Sequence, residues 1–595
     1  MSDRSKQFPH IPLRRIKTDS ARSGRPPRRS AGSNTNMGNR GGHGGKLQSS
    51  VSSIVVDWKA VLEKRRKEGL PEIPNVPSLL LKVDPKSFDA DTLKSFDIEV
   101  ILELEDGYIL GAAVDSELTK LQEKIGKFIT EQYGGNKVCE IWEILEGNLD
   151  NRLEYILSPD LLANWDRVLD DHIYIVDISI ACVGLNSKFS QYPSKKKGED
   201  PEKYAKKLAK WSDKCQQTKE EWDRLQLERE SDFEDFVREL GGTFLLLGDY
   251  DDRSHLALLP DSFSSRIEIS GKGLKDLVIN YAYIFEVSEP DSITDRLTNR
   301  TESIPDVASF TLKPPAQNAP RVCLIDSGIQ ESHRLLRVAI DSDRSTSWVP
   351  GQIDIKSDNV TDGGHGTRVA GAILYPQGIP RSGTDTAICW LQNARVLGDN
   401  RQLPERLYLP EILGDIVDFY HRETKTRIFN HSINSAAPCR RIYMSAWATA
   451  IDNLSWKNDI LFIVSAGNLP TIRQEGLSIT RRTLTEYFEK GFEYPDFLLE
   501  DASRIANPAQ SLQALTVGSI AHCTYEQEDF VSIAKQDYPS AFTTTGYGIW
   551  DSIKPEVVEY GGDWVKDRGD VPSFSTPAEV CPELVRTTVT TQAED

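Results

Sequence analysis

No run of eighteen apolar residues occurs in this 595-residue chain, so no transmembrane helix is expected. The first residues, Met1-Ser2-Asp3-Arg4-Ser5-Lys6, lead into no apolar segment of the kind a signal peptide needs. The 8 cysteines (139, 182, 215, 323, 389, 439, 523 and 581) contain no Cys-x-x-Cys pair, and their scatter in so long a chain argues against a disulfide framework. These absences together predict a reduced, cytoplasmic protein. Basic residues are also in deficit, with 71 Lys and Arg against 90 Asp and Glu and a net charge of −19. That balance favours solubility and disfavours general binding to nucleic acid or anionic membrane. What is present is globular, 38% hydrophobic and 27% charged. The length suits roughly two to four domains.

Residues 1–50 are rich in Arg, Ser, Gly and Pro, with Arg-Pro-Pro-Arg-Arg at 25–29 and Gly-Gly-His-Gly-Gly at 41–45. A segment so poor in apolar surface is expected to be a disordered basic arm. It is either a solvated tail or the one part that would touch nucleic acid or an acidic partner. Residues 51–165 predict a small α+β domain, with a strand over 96–104 and a helix over 117–132 whose apolar positions fall at 118, 121, 125 and 128. Residues 166–290 read as a second α+β domain. A strand over 174–182 precedes a long helix with Asp200 as N-cap and Pro201 at its first position, stopped by Gly241-Gly242. A hairpin from 243–247 and 255–259, a helix over 274–281 and a strand over 282–287 complete an order close to β-α-β-β-α-β, the ferredoxin-like arrangement. Pro290, Pro305, Pro314 and Pro315 mark 291–319 as a linker.

From 320 onward apolar strands alternate with helices, which is the signature of an α/β, doubly wound parallel sheet. Val322-Cys323-Leu324-Ile325 runs straight into Asp326-Ser327-Gly328. An acidic residue at the carboxyl end of a buried strand lies where such sheets hold their chemistry. Gly363-Gly364-His365-Gly366-Thr367 opens an apolar helical stretch, and a second buried strand, Leu461-Phe462-Ile463-Val464, ends in Ser465-Ala466-Gly467-Asn468. An imidazole poised near neutral pH, a carboxylate to fix its tautomer and an amide donor are most of what acyl transfer requires. Residues 470–505 mix Arg and Glu with Tyr487, Phe488 and Phe492. They read as an insertion, either a rim loop shaping substrate access or a surface elaboration with its own small cluster.

These three motifs resemble those of the subtilisin-like serine peptidases, the subtilases of peptidase family S8, in their large bacterial intracellular form. The resemblance covers about residues 318–565. It implies a serine-type endopeptidase in which Asp326 and His365 are catalytic and Asn468 serves the oxyanion hole. It also implies a protein or peptide substrate, an AAA-type ATPase as partner, and either a prodomain-like or a permanent accessory role for residues 166–290. The family's nucleophile lies in Gly-Thr-Ser-x-Ala-x-Pro, and no Gly-Thr-Ser occurs here. Ser573, in Pro572-Ser573-Phe574-Ser575-Thr576-Pro577, is a poor substitute. Proline stands where a glycine-dependent turn belongs, and Pro577 and Pro582 would interrupt the following helix. The domain over 320–595 is therefore expected to be C-terminally incomplete, with the serine motif beyond Asp595. Asn430-His431-Ser432-Ile433-Asn434-Ser435 replaces the family's Asn-x-Ser-Leu-Gly, the segment that offers backbone to substrate, and His431 reads as a surface or packing histidine rather than a second base. No cofactor is implied. Subtilases often bind calcium, but no loop here has the oxygen-donor spacing for it. The alternative function is a catalytically inactive pseudopeptidase acting as a binding or regulatory module.

Overall fold

The structure is a computed structural model that describes residues 29–146, 150–186, 189–245, 256–293, 309–360, 364–380, 382–527, 529–569, 573–575 and 587–588. Helical structure begins inside the segment expected to be a free arm. Helices α1 (Ala31–Gly38) and α2 (Arg40–Glu68) are capped by Ser30, whose hydroxyl accepts from the Ser33 N–H, and by Asn39, whose side-chain Oδ1 accepts from the Gly42 N–H. Leu47, Val51, Ile54 and Val55 follow one another at helical spacing and are buried. Gly44 permits the close approach: a Cβ there would lie 2.4 Å from Ile129. The expected boundary at residue 50 therefore moves to about 29, because glycines that composition counts toward disorder here serve packing. Residues 1–28 lie outside the described residues.

The first unit continues with β1 (Ser78–Val83), β2 (Ile98–Glu103), β3 (Tyr108–Ala113), α3 (Thr119–Ile129) and β4 (Ile141–Glu146), an antiparallel sheet in the order β2-β3-β1-β4. Two short helices, α4 (Asp150–Ile156) and α5 (Pro159–Asn164), lead to the second unit. That unit comprises β5 (Ile173–Ala181), α6 (Pro201–Glu239), β6 (Thr243–Phe244), β7 (Ala257–Leu258), β8 (Ser262–Ser270), α7 (Gly271–Asn280) and β9 (Ile284–Ser288). Its strands run antiparallel in the order β6-β8-β5-β9, the ferredoxin-like topology. Of the hairpin expected from 243–247 and 255–259, residues 246–255 lie outside the described residues, and the described parts do not pair with each other. Both β6 and β7 pair with β8 instead. Strand β8 escaped the hydrophobic pattern because three of its buried residues are Ser264, Ser265 and Arg266. The sheets share one core: Leu110 and Ala112 of β3 pack in the same cluster as Ile178, Phe233, Phe263 and Leu274.

The third unit begins before the expected linker ends, with β10 (Ser309–Lys313). It contains β11 (Arg321–Asp326), β12 (Thr346–Ser347), α8 (His365–Leu374), β13 (Ser382–Thr386), β14 (Trp390–Arg395), α9 (Leu409–Thr424), β15 (Ile428–His431), α10 (Ala446–Asn458), β16 (Leu461–Ser465), α11 (Leu484–Glu489) and β17 (Leu515–Ile520). Strand β10 pairs in parallel with β13. Seven strands form a parallel sheet in the order β12-β14-β11-β15-β16-β17, closed by Val557–Tyr560 at the edge. Cys323, Leu324 and Ile325 of β11 are fully buried, as a strand covered on both faces requires. Helices α9 and α10 pack on the face that Cys323 and Ile325 present, while α8 covers the face of Leu324. The insertion at 470–505 has its own core, with Leu484, Tyr487, Phe497 and Leu498 against Ala541 and Trp564. Among the described residues no helix is long and apolar enough to cross a membrane, and Cys139, Cys182, Cys215, Cys323, Cys389 and Cys439 are free thiols.

Candidate active site

Strand β11 delivers Asp326, wholly buried, to the carboxyl edge of the sheet between β14 and β15. Its Oδ1 accepts from the Ser327 N–H at 2.7 Å and lies 2.7 Å from His365 Nδ1. His365 is the first residue of α8, with 13% of its side chain exposed. The structure thus pairs the two residues that sequence motifs suggested. Asn468, exposed just past β16, lines the same small pocket as His365, together with Ile293, Leu397, Arg401, Ser432, Ile433, Asn434 and Ser435. Its main chain is held where Gly467 adopts a φ of +112° and where Leu469 N–H donates to the Phe542 carbonyl at 2.7 Å.

Three further residues tie the histidine to the aspartate. Asp358, only 3% exposed, accepts from Ser327 Oγ at 3.0 Å, from Thr367 N at 2.9 Å and from Thr367 Oγ1 at 2.8 Å. Ser327 Oγ in turn accepts from the Gly366 N–H at 2.9 Å. One carboxylate thereby satisfies an otherwise orphaned donor in the first turn of α8 and holds the end of β11 beside it. Burial pushes the Asp358 carboxyl up, and the Thr367 and Ser327 donors work against that rise. Sequence reasoning missed this role. Ser327 and Thr367 sat inside the motifs, but nothing in the polar stretch around Asp358 marks it.

Gly366 is fixed by sterics. A Cβ there would lie 2.1 Å from the Gly328 carbonyl oxygen and 3.2 Å from Asp326 Cβ. Neither is a flexible side-chain end that could swing away. Gly366→Ala is expected to cost about 1–3 kcal/mol of stability. It should also separate His365 from Asp326, read as a lower thermal midpoint together with loss of the low-field imidazole proton resonance.

His431, fully buried, accepts through Nε2 from Trp447 Nε1 at 2.9 Å, and burial lowers its pKa to about 4. It is a neutral packing group, as expected. Asn434 donates to the Ser465 carbonyl at 2.9 Å and so fastens its segment to the end of β16. Ser573 is exposed, just ahead of Phe574–Ser575, which pairs antiparallel with Val565 and Lys566, and it donates to Asp567. It is not among the residues lining the pocket with His365.

The ferredoxin-like unit docks against this site. Arg266 of β8 is paired with Asp177 at 2.7 and 2.9 Å, and its Nη1 donates to the Glu405 and Leu407 carbonyls just ahead of α9. Leu259 packs on Ala446 and Ala450 of α10. Beyond β9 the chain enters the cleft: Ala436 N–H donates to the Ser292 carbonyl at 2.7 Å, and Ile293 pairs antiparallel with Ser435. The start of the expected linker is therefore a strap across the pocket mouth. Beside it a cavity of about 630 Å³ is lined by Glu286, Glu289, Asp291, Arg440 and Tyr443 among others.

Burial pushes the Glu286 carboxyl up to about 7, against Arg440, Tyr443 and the Ser179 hydroxyl that favour its ionised form. Burial likewise raises Asp291 to about 6, opposed by Ser435, Arg266 and Asn507. Both groups take up protons more readily folded than unfolded. The stability they lend is complete below the ordinary carboxylate range and is lost as pH rises through 6 to 7. Raising the pH from 5 to 8 is therefore expected to weaken docking by up to about 4 kcal/mol. The first urea transition should fall across that range in the native chain, and Glu286→Gln should flatten the dependence.

Residues 317–593 match the sequence model of the Subtilase family, Peptidase_S8. The C-terminal domain is thus a subtilase domain, of the serine-peptidase class that its fold and its paired aspartate and histidine suggested. Over 170 residues the chain is 29% identical to a protein of Sinorhizobium fredii described as "Uncharacterized protein y4bN", a match covering 27% of this chain and 36% of that one. The chain thus spans little more than a third of that relative. Among solved structures, the epidermin leader peptide processing serine protease (EpiP) of Staphylococcus aureus aligns at 13% identity with a TM-score of 0.32, covering 61% of this chain and 84% of that one. Sphericase aligns at 18% identity with a TM-score of 0.28, covering 48% of this chain and 76% of that one. Among the described residues no group of three or more His, Cys, Asp or Glu is placed to hold a metal ion.

Proposed function

We propose that the subtilase domain is a serine-type endopeptidase site acting on proteins or peptides, kept covered by its own N-terminal unit. The observation that carries this is the buried Asp326 at 2.7 Å from His365, with Asn468 lining the same pocket. In this reading His365 takes the proton of an attacking serine hydroxyl, Asp326 holds the imidazole tautomer and stabilises the imidazolium, and Asn468 donates to the developing oxyanion. The ferredoxin-like unit acts as a prodomain-like inhibitor. Its sheet sits on the starts of α9 and α10, and its trailing strap lies in the cleft.

The test is a fluorophosphonate label on the full chain, with the modified peptide mapped and casein hydrolysis followed in parallel. Labelling of a serine that disappears in His365→Ala supports the reading. Absence of both labelling and hydrolysis, with the strap intact and after its removal, overturns it. A second reading, an inactive subtilase domain working as a peptide-binding module, is favoured by one observation: a peptide segment already lies in the cleft.

A further inference from the structure

The strap is held on both sides, and one side is a single side chain. On one edge Ser292 and Ile293 pair with the main chain of Ser435 and Ala436. On the other, Gln402 Oε1 accepts from the Ile293 N–H at 3.0 Å while its Nε2 donates to the Ile293 carbonyl at 2.7 Å. A primary amide carries a donor and an acceptor side by side, as a peptide group does. Gln402 therefore stands in for a neighbouring strand, bonding both main-chain groups of one residue.

The amide is aimed by a tight turn. Gly398 N–H donates to the Gln402 carbonyl at 3.0 Å, Arg401 takes a φ of +66°, and Gln402 N–H donates to Asn400 Oδ1 at 3.1 Å. Both bonds to Ile293 are to main chain and do not depend on that residue's identity, while the neighbouring Ser292 hydroxyl adds a longer contact, donating to Gln402 Oε1 at 3.4 Å. The Ile293 side chain, 5% exposed, lies with Leu397 and Ile433 in the pocket that His365 borders.

We propose that Gln402 is the residue that grips the main chain of a peptide bound in this cleft, one that places an aliphatic side chain where Ile293 now lies, and that the strap occupies this grip until a peptide displaces it. The assignment rests on the peptidase reading only for the fate of the peptide, not for its binding. A groove that bonds both edges of an extended chain accepts it by strand addition, with affinity from the main chain and selectivity from the side-chain pocket.

The test uses the full-length chain carrying Ile293→Gly, which removes the strap's side-chain anchor. The probe is a fluorescent synthetic peptide of the end of β9 and the strap, Glu-Val-Ser-Glu-Pro-Asp-Ser-Ile, with binding read by anisotropy. Adding Gln402→Ala is expected to weaken binding about tenfold or more, and Gln402→Glu, which keeps the acceptor and loses the donor, by an intermediate factor. In the otherwise native chain Gln402→Ala should speed hydrogen exchange at the Ile293 amide and leave β11 unchanged. If the chain hydrolyses a chromogenic peptide, KM should rise with kcat nearly constant. Equal affinity in the Ala and Gln forms, or an unchanged Ile293 amide, overturns the proposal. A chain that binds the peptide through Gln402 but never cleaves it leaves the grip standing and removes the peptidase reading instead.

Discussion

If the proposed peptidase activity is present, with His365 as base, Asp326→Asn is expected to slow serine labelling and peptide hydrolysis about 10⁴-fold while leaving the thermal midpoint nearly unchanged, the size of effect this substitution has in the chymotrypsin-type triad. Oδ1 serves two partners, the Ser327 N–H and His365 Nδ1, and Oδ2 is buried with no partner. If the asparagine oxygen keeps the Oδ1 position, both bonds survive, but no negative charge remains to stabilise the imidazolium. If the amide turns over, an NH₂ faces Nδ1, fixing the tautomer that cannot accept a proton at the ring edge facing substrate. It also opposes the Ser327 donor. Either arrangement removes base function without removing volume. The comparison is native chain against Asp326→Asn, with labelling rate, circular dichroism and melting followed on the same samples. A labelling rate within tenfold of native would show that Asp326 does not orient the base.

The site was legible in the sequence where its residues end buried strands. An apolar run followed by turn residues reports burial and position together, and β11 and β16 both carry that pattern. The long helix α6 was legible to within two residues at its C-terminal end because Asp200, Pro201 and Gly241 punctuate it. What stayed hidden was held by polar or main-chain contacts. Strand β8 buries Ser264 and Arg266, whose partners Tyr408 and Asp177 are far away in sequence. Helices α1 and α2 are rich in Gly, Ser and Asn. Their placement depends on contacts such as Ser33 Oγ to Asp84 at 2.6 Å and His43 Nε2 to the Ile141 carbonyl at 2.9 Å. The Gln402–Ile293 grip joins residues 109 apart through main-chain atoms, which no side-chain pattern encodes. Hydrophobic periodicity reports which faces are buried but not which buried polar groups have found partners.

The second large effect lies where the two α+β units meet, and it is expected of Arg229→Met: a loss of about 3–5 kcal/mol. Arg229 of α6 makes a bidentate pair with Glu99 of β2 at 2.7 and 2.5 Å, and both are almost wholly buried. It also donates to the Ala181 carbonyl, and its guanidinium stands 3.7 Å over the Tyr283 ring. One side chain thereby links the first sheet, β5, α6 and the start of β9. Burial alone would lower the pKa of the guanidinium, and Glu99 more than offsets it, so Arg229 stays charged. Methionine would fill the space but strand a buried carboxylate with, among the described residues, only the Gly184 N–H, at 2.9 Å, as its remaining donor. The cost comes from that stranded charge rather than from a lost attraction, so Glu99→Gln combined with Arg229→Met should recover most of the stability. Urea unfolding of the native chain, both single variants and the double variant measures this directly. The single Arg229 variant should also show faster exchange at the β9 amides and at Ile293, because β9 feeds the strap. A double variant as unstable as the single one would mean that packing, not the orphaned charge, holds the units together.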